Sequence, residues 1–475
     1  VAAAFCVANP TGWLRSPELE QTLDVLADVV PPAITSTSRG GVLHVVSEVH
    51  AVGGHRAMLL RWLEADRQLG VTAHLAVTRS QPVPSALVDG VLATGGSVTV
   101  LGRHRAMARA SRLRALASHH DVVVCHTHAD DPIPSIAFGS HWSTASGVPV
   151  AMVDHSDHLF WLGAGSFNAL ISLRNAGAQT AMDVRGVPGS RIHRLPIPIS
   201  MPRLSRSSHE GVTLIAVARP QKFASARGGV TFPDVVTPAL VSLPQTRLMV
   251  IGPEPSDPLW AGARKRLGDR LWLTGLQDDP GAWRQRSDIH LDPIPFGSAT
   301  SLLESAAYGL PAIALKAATP RASLLTSAGV LDQGVMWAQT PAEYAADIVA
   351  LVHDEARRQS LGEDARRGIQ QTHGLSAWVE RLRTFYSQVD TRTGSGAMTT
   401  VVRDPDYAAA LMEVESGVPL QWIMSSAAAD FDASDRALAT ARVTRARLIR
   451  RLHGHPLPTA GADADLLIPE LQVSV

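Results

Sequence analysis

The sequence predicts an α/β chain built from two doubly wound, parallel-sheet domains, and three observations predict it. Short apolar strands alternate with amphipathic helices along most of the chain, the pattern of parallel strands covered on both faces. That alternation breaks at a proline-rich stretch and then restarts. The length of 475 residues, 45% of them hydrophobic, is ample for more than one domain, since single cores stop growing at roughly 250–300 residues.

Residues 1–41 read as a helical prefix and linker. Ser16-Pro17-Glu18 starts a helix with proline at its first position, Leu19, Leu23 and Leu26 recur at helical spacing, and Pro31-Pro32 ends it. Residues 42–204 form the first domain. Its predicted strands are Val42–Val46, Val71–Val77, Val98–Leu101, Val122–Cys125 and Val148–Val153, with helices at Met58–Leu69 and Ala106–Ala117. The proline-rich stretch Leu195–Pro202 and the polar stretch Ser205–Gly211 mark the boundary. Residues 205–390 repeat the grammar with strands Val212–Val217, Arg247–Ile251, Leu271–Leu273, Ile289–Leu291 and Ala312–Leu315. Helices at Ala342–Val352, Ala356–Gln371 and Ala377–Gln388 close this domain, the last carrying Trp378, Leu382 and Phe385 on one face. Residues 391–475 read as a linker and a helical extension, with an arginine-rich solvated face from Arg442 to Arg451.

Composition excludes several classes. Lys plus Arg and Asp plus Glu both number 43, so no global field favours nucleic acid or an anionic membrane. Two cysteines cannot make a disulfide framework; Cys125 sits in an apolar run as a buried thiol and Cys6 has no partner, which fits a reducing compartment. No apolar run reaches the roughly 20 residues of a spanning helix. The first residues lack the basic and apolar regions of a secretory signal. A cytoplasmic location follows as the expectation, with peripheral membrane contact left open. Alanine and arginine are abundant and lysine rare, the usage of a GC-rich, bacterial-type genome.

Ligands of open parallel sheets bind outside the carboxyl ends of the strands, so the loops after strands carry the chemistry. After the first strand, Gly53-Gly54 lets the backbone approach a ligand and opens a helix whose N–H groups suit an anion. After the strand ending at Val153, a loop gathers Asp154, His155, Asp157, His158 and Trp161: an aromatic platform beside hydrogen-bonding groups, suited to a sugar ring. His126 and His128 alternate at one strand end and so point the same way. Arg219 and Lys222 put two cations at the mouth of the second sheet, where a planar fork and a point charge suit a diphosphate. The segment Asp292–Ile313 ends a strand, makes a Gly/Ser/Thr loop and starts a helix near Thr300. Its first turn, Ser298, Ala299, Thr300 and Ser301, offers amides and the helix macrodipole to a phosphate. Glu304, one turn in, can accept bonds from two ribose hydroxyls. No second cluster completes a zinc site at convincing spacing.

Together these residues resemble the GT-B glycosyltransferases, most closely the retaining family 4 type, over residues 42–388. The stretch from Glu304 to Ile313, Glu-Ser-Ala-Ala-Tyr-Gly-Leu-Pro-Ala-Ile, is similar to that family's Glu-Ala-x-Ala-x-Gly-x-Pro-Val-Ile signature. Ile251-Gly252 and Leu273-Thr274-Gly275 resemble its next strand ends. His155–Gly163 resembles a stretch of some bacterial members. Phe296 departs from the pattern, standing where the family often has a second glutamate, and Arg219 and Lys222 lie closer in sequence than is usual there.

The resemblance implies two Rossmann-like domains facing across a cleft, and transfer of a sugar from a UDP- or GDP-linked donor to an acceptor hydroxyl, with retention. It implies Gly53, Gly54, Arg219, Lys222 and residues 298–301 at the diphosphate and Glu304 at the ribose. His155, and after it His128, are expected at the reacting centre, with Asp154, His158 and Trp161 lining the sugar or acceptor cleft. No cofactor and no obligatory metal are expected. The rival readings are a GT-B nucleotide-sugar epimerase or hydrolase, and a catalytically degenerate partner subunit that binds a nucleotide sugar. An NAD-binding protein is disfavoured, since no Gly-x-Gly-x-x-Gly follows the first strand.

Overall fold

The computed structural model describes residues 2–32, 39–49, 53–79, 82–102, 104–204, 210–225, 229–319, 321–391 and 398–414. The first lobe is built on a seven-stranded sheet: β1 (Val42–Val46), β2 (Ala73–Val77), β3 (Val98–Val100), β4 (Val122–His126), β5 (Val150–Val153), β6 (Ala169–Ser172) and β7 (Ile192–Arg194). The second holds six strands: β8 (Val212–Val217), β9 (Thr246–Ile251), β10 (Leu271–Leu273), β11 (Ile289–Leu291), β12 (Ala312–Leu315) and β13 (Val335–Ala338). Every pairing is parallel. The orders are β3-β2-β1-β4-β5-β6-β7 and β10-β9-β8-β11-β12-β13. Both sheets therefore reverse winding at one point, between β1 and β4 and between β8 and β11.

The predicted strands reappear within two residues at either end. The sequence reading missed β6, β7 and β13, which run four, three and four residues. They are too short to display a periodicity, and Ile-His-Arg of β7 mixes classes. The first helix of the cleft starts earlier than expected, at Gly54 rather than Met58, which brings the glycine pair to its N-terminus.

The division into prefix, two domains and extension is redrawn at both ends. The helix Leu375–Gln388, assigned from sequence to the second domain, crosses back and covers the first sheet. Its Trp378, Leu382 and Phe385 pack with Val42, Met58, Trp62, Val122 and Val124, and Trp378 Nε1 donates to Pro196 O at 2.5 Å. Burying each such side chain contributes about 1.5–3 kcal/mol, so this helix fastens the two lobes. The prefix is equally integral. Ala3 packs against Phe160 and Leu162, and Leu14 O accepts the backbone N–H of Trp161. The buried Arg15–Glu20 ion pair closes at 2.7 Å, while Glu20 also accepts from Ala164 N at 2.8 Å. Residues 398–414 add the helix Pro405–Val414, whose Tyr407 and Leu411 join Leu14, Val184, Phe296 and Leu324 in one cluster. The arginine-rich stretch 442–451 lies outside the described residues.

Among the described residues, Cys125 is buried, both cysteines are free thiols, and no helix is long and apolar enough to cross a membrane.

Candidate active site

Of the loops singled out from sequence, those after β1, β8 and β11 fall at the two switch points, where open α/β sheets bind ligands, while the loop carrying His155 follows β5. Residues 47–49 and 53–54 lie after β1 and residues 127–131 follow β4 in the first lobe. In the second, residues 218–223 follow β8 and residues 292–298 follow β11. The lobes bring these loops face to face. Gly53 adopts φ of 133°, and a methyl group placed on it would stand 3.6 Å from Arg219 Nη2. One on Gly54 would stand 3.1 Å from Thr300 Oγ1, tighter than ordinary contact. A side chain at Gly54 would push against the first turn of the helix Ala299–Ala307.

On the second-lobe side the groups look outward. Arg219 is exposed, and Ser298, Ala299 and Thr300 are partly exposed, while Ser301 is buried. Ser298 occupies the N-cap of the helix but makes no side-chain cap; its backbone N–H donates instead to Asp292 Oδ1 at 2.9 Å. Burial raises the Asp292 carboxyl to about 6, against the pull of that N–H and of Lys222. Lys222 reaches over the same loop. Its Nζ donates to Gly297 O at 2.6 Å and stands 4.3 Å from the centre of the Phe296 ring, a cation–π distance. Where a second carboxylate was expected from the resemblance, an aromatic face meets the lysine instead.

Glu304 sits at the interface of the lobes. Its Oε1 accepts from Arg61 Nη2 of the first lobe at 2.7 Å and its Oε2 from Arg284 Nη2 of the second at 2.8 Å. Burial alone would raise this carboxyl, but Arg284 and then Arg61 override it, so the net shift is downward. An ionised carboxylate offers about four lone-pair sites, and these two bonds leave room for further donors. Neither arginine carried a sequence signal: each lies in a helix with no motif around it.

The first-lobe wall is a cluster of imidazoles. His155 Nε2 lies 3.2 Å from His126 Nδ1, His126 Nε2 lies 3.0 Å from His44 Nδ1, and His44 Nε2 lies 2.9 Å from Asp66 Oδ2. Asp66 Oδ1 accepts from the Tyr386 hydroxyl at 2.8 Å, and Tyr386 in turn accepts from Trp62 Nε1 at 2.9 Å. His44, Asp66 and His126 are wholly buried, whereas His155 is partly exposed. His55 lies edge-on to His155 with ring centres 4.6 Å apart, and its Nε2 donates to His126 O at 2.9 Å. Because His55 follows Gly54, this wall adjoins the side of the cleft where Gly53 faces Arg219. His128 stands apart from the chain of imidazoles. It accepts from Arg79 Nη1 at 3.2 Å and lies 3.7 Å from Glu48, and burial followed by Arg79 lowers its pKa. Burial likewise holds His155 and His126 well below the usual imidazole range.

Two of the predicted cleft residues are corrected. Trp161 is 1% exposed and lies in the main core cluster of the first lobe, with the Arg185 guanidinium 4.7 Å over its ring. The prefix covers it, so it offers no platform to a sugar. Asp154 is 2% exposed and points inward; burial raises its carboxyl to about 7. The loop was read as solvent-facing because the prefix and residues 398–414 carry no signal that they fold over it. His158 is partly exposed and meets the Phe296 ring edge-on at 5.2 Å, so it lies between the lobes. Its neighbour Asp157 forms a fork with Arg174 at 2.5 and 2.8 Å. Arg174 also donates to Leu324 O and Thr326 O of the second lobe, at 2.6 and 2.7 Å. Burial would raise Asp157, but Arg174 overrides it and holds the carboxyl below its usual range.

Comparison with curated protein sequences gives no match. Residues 211–354 match the family described as glycosyl transferases group 1. Among solved structures, the chain is similar to HepE of Anabaena, solved in complex with UDP and glucose, with a TM-score of 0.56 at 11% identity over 74% of this chain and 100% of that one. It is similar to S. aureus TarM, solved with UDP and glycan ligands, with a TM-score of 0.55 at 9% identity over 73% of this chain and all of the other. The Thermobaculum terrenum O-GlcNAc transferase gives a TM-score of 0.51 at 18% identity, over 85% of this chain and 72% of that one. These likenesses establish two facing lobes of the GT-B type. The family match adds that residues 211–354, in the second lobe, are similar to the group 1 glycosyl transferases.

Proposed function

We propose that the protein transfers a sugar from a nucleoside diphosphate sugar, UDP-linked by preference, to an acceptor hydroxyl, with retention and without an obligatory metal ion. The observation that carries this reading is the meeting of Gly53 with Arg219 and of Gly54 with Thr300 across the cleft. A diphosphate held there would see the first turn of the helix from residue 298, the Arg219 fork and the Lys222 ammonium on one side. On the other it would see the backbone at 53–54. These are preformed positive groups aimed at a leaving group that gains charge, and such groups lower a barrier most where water is excluded.

Glu304 takes the ribose in this reading. The two arginines already on its carboxylate fix its orientation and keep it ionised, so that it acts as an acceptor toward ribose hydroxyls. His155, at the open end of the imidazole chain, takes the proton of the acceptor hydroxyl. UDP is favoured as the nucleotide because HepE and TarM were both solved with it.

The test is a screen of the purified chain against UDP- and GDP-sugars, reading diphosphate release with and without cell extract as a source of acceptor. Release that depends on extract supports transfer. Release without any acceptor would replace transfer by hydrolysis or epimerisation, and no release with any donor would sink the reading.

A further inference from the structure

The row of imidazoles behind His155 is deeper than orienting one base requires. Each neutral imidazole has one donor and one acceptor nitrogen, and the three contacts from His155 to Asp66 use every one of these except Nδ1 of His155. Among the described residues nothing is hydrogen-bonded to that atom, and His155 is the only partly exposed member of the row. The far end is fixed independently. Trp62 Nε1 can only donate, so the Tyr386 oxygen accepts from it and the Tyr386 proton must go to Asp66 Oδ1. Asp66 therefore has one oxygen, Oδ2, left for His44.

This leaves two self-consistent arrangements. With Asp66 ionised, His44, His126 and His155 each carry their proton on Nε2 and donate toward Asp66, and Nδ1 of His155 presents a lone pair. With Asp66 protonated on Oδ2, all three histidines carry the proton on Nδ1 instead. The second arrangement holds one more proton than the first, yet no imidazolium exists in either.

We infer that His155, His126, His44 and Asp66 form one proton relay, in which a proton taken up at Nδ1 of His155 is held as a neutral carboxylic acid on Asp66. His126, His44 and Asp66 are positioning residues that set the base strength of His155 from inside the lobe. Burial supports this division: it disfavours charge on His126 and His155 and raises the Asp66 carboxyl, so the added proton is better placed on the acid than on a ring. The packing supports it as well, since Trp62 stands edge-on to both inner rings, 4.8 Å from His126 and 5.9 Å from His44, and leaves them little freedom to rotate.

The source of the proton rests on the sugar-transfer reading. As the acceptor oxygen bonds to the anomeric carbon on the face from which the diphosphate departs, so that configuration is retained, the bond from that carbon to the diphosphate oxygen breaks and its electron pair leaves with the diphosphate. The hydroxyl proton passes to Nδ1 of His155. The Nε2 protons of His155, His126 and His44 then each move one partner inward, ending on Asp66. The same path in reverse returns the proton to water or to the departing diphosphate. Other titratable groups facing the row are few: His55 against His155, His128 beyond His55, and Tyr386 on Asp66.

Nitrogen NMR of the ¹⁵N-histidine-labelled chain tests the relay directly, with each resonance assigned by single His→Gln variants. Across roughly pH 5 to 8, His155, His126 and His44 are expected to invert tautomer together at a single pH, with no imidazolium signal from any of them. Asp66→Asn should abolish the transition. Tyr386→Phe, which removes a donor that stabilises the ionised carboxylate, should move it to higher pH; this variant keeps the test open if Asp66→Asn does not fold. Independent titrations, an imidazolium at His155, or a transition untouched by both substitutions would overturn the relay. Calorimetry of UDP binding to the same samples separates the two claims. Calorimetry with GDP is run alongside; absence of binding of both UDP and GDP to the unsubstituted chain sinks the sugar-transfer reading, while the histidine spectra still decide the relay.

Discussion

At the mouth of the second sheet the polar groups carry full or partial positive charge: exposed Arg219, half-buried Lys222 and the partly exposed helix start at residues 298–300. At the mouth of the first sheet the imidazoles turn inward: His155 leads to the fully buried His126, His44 and Asp66. In the proposed sugar transfer, the contrast follows from what each wall would meet. A diphosphate brings its own charge, and exposed cations and helix ends complement it at little desolvation cost. A proton acceptor must change state without leaving an uncompensated charge in a low-dielectric interior, and a row of neutral imidazoles ending on a carboxylate does that. One wall holds, the other exchanges.

The sharpest way to break this division is His155→Gln. Turnover should fall by about 10²–10⁴, the range of a lost general base, while UDP affinity stays within roughly twofold. A comparable loss of UDP affinity would put His155 on the holding wall and erase the contrast. A smaller effect is expected from Glu304→Gln. Replacing a charged acceptor by a neutral one costs about 1 kcal/mol per hydrogen bond, so the preference for UDP over 2′-deoxy-UDP should shrink about fivefold. If that preference is unchanged, Glu304 serves only to tie Arg61 and Arg284 across the lobes, and the ribose is held elsewhere.

The cationic wall was legible in the sequence, whereas the imidazole wall showed only His155 and His126 there and not their connection to His44 and Asp66, for a physical reason. Phosphate-binding elements are local: a Gly-Gly before a helix, two cations within four residues, and a Gly/Ser/Thr loop opening a helix each sit on a continuous stretch. Strand order then brings them together at the switch points. The imidazole row is assembled from β1, β4, the loop after β5 and two helices. No stretch of sequence contains two of its contacts. His44, a polar side chain in the middle of the apolar strand Val42–Val46, becomes informative only when the strand is seen to be buried on both faces. Trp161 failed in the opposite direction. Its neighbours His155 and His158 do face the cleft, but the prefix and residues 398–414 fold over the rest of that loop, and nothing local announces such distant cover.

The central claim is that an anionic leaving group is gripped between the lobes, and the affinity of UDP relative to uridine measures that grip most directly. Charge-assisted hydrogen bonds are worth about 1.5–3 kcal/mol each. In the doubly substituted chain, Arg219→Ala with Lys222→Ala, the advantage of UDP over uridine should therefore fall at least about tenfold while uridine itself binds as before. An advantage that survives both substitutions would contradict the account.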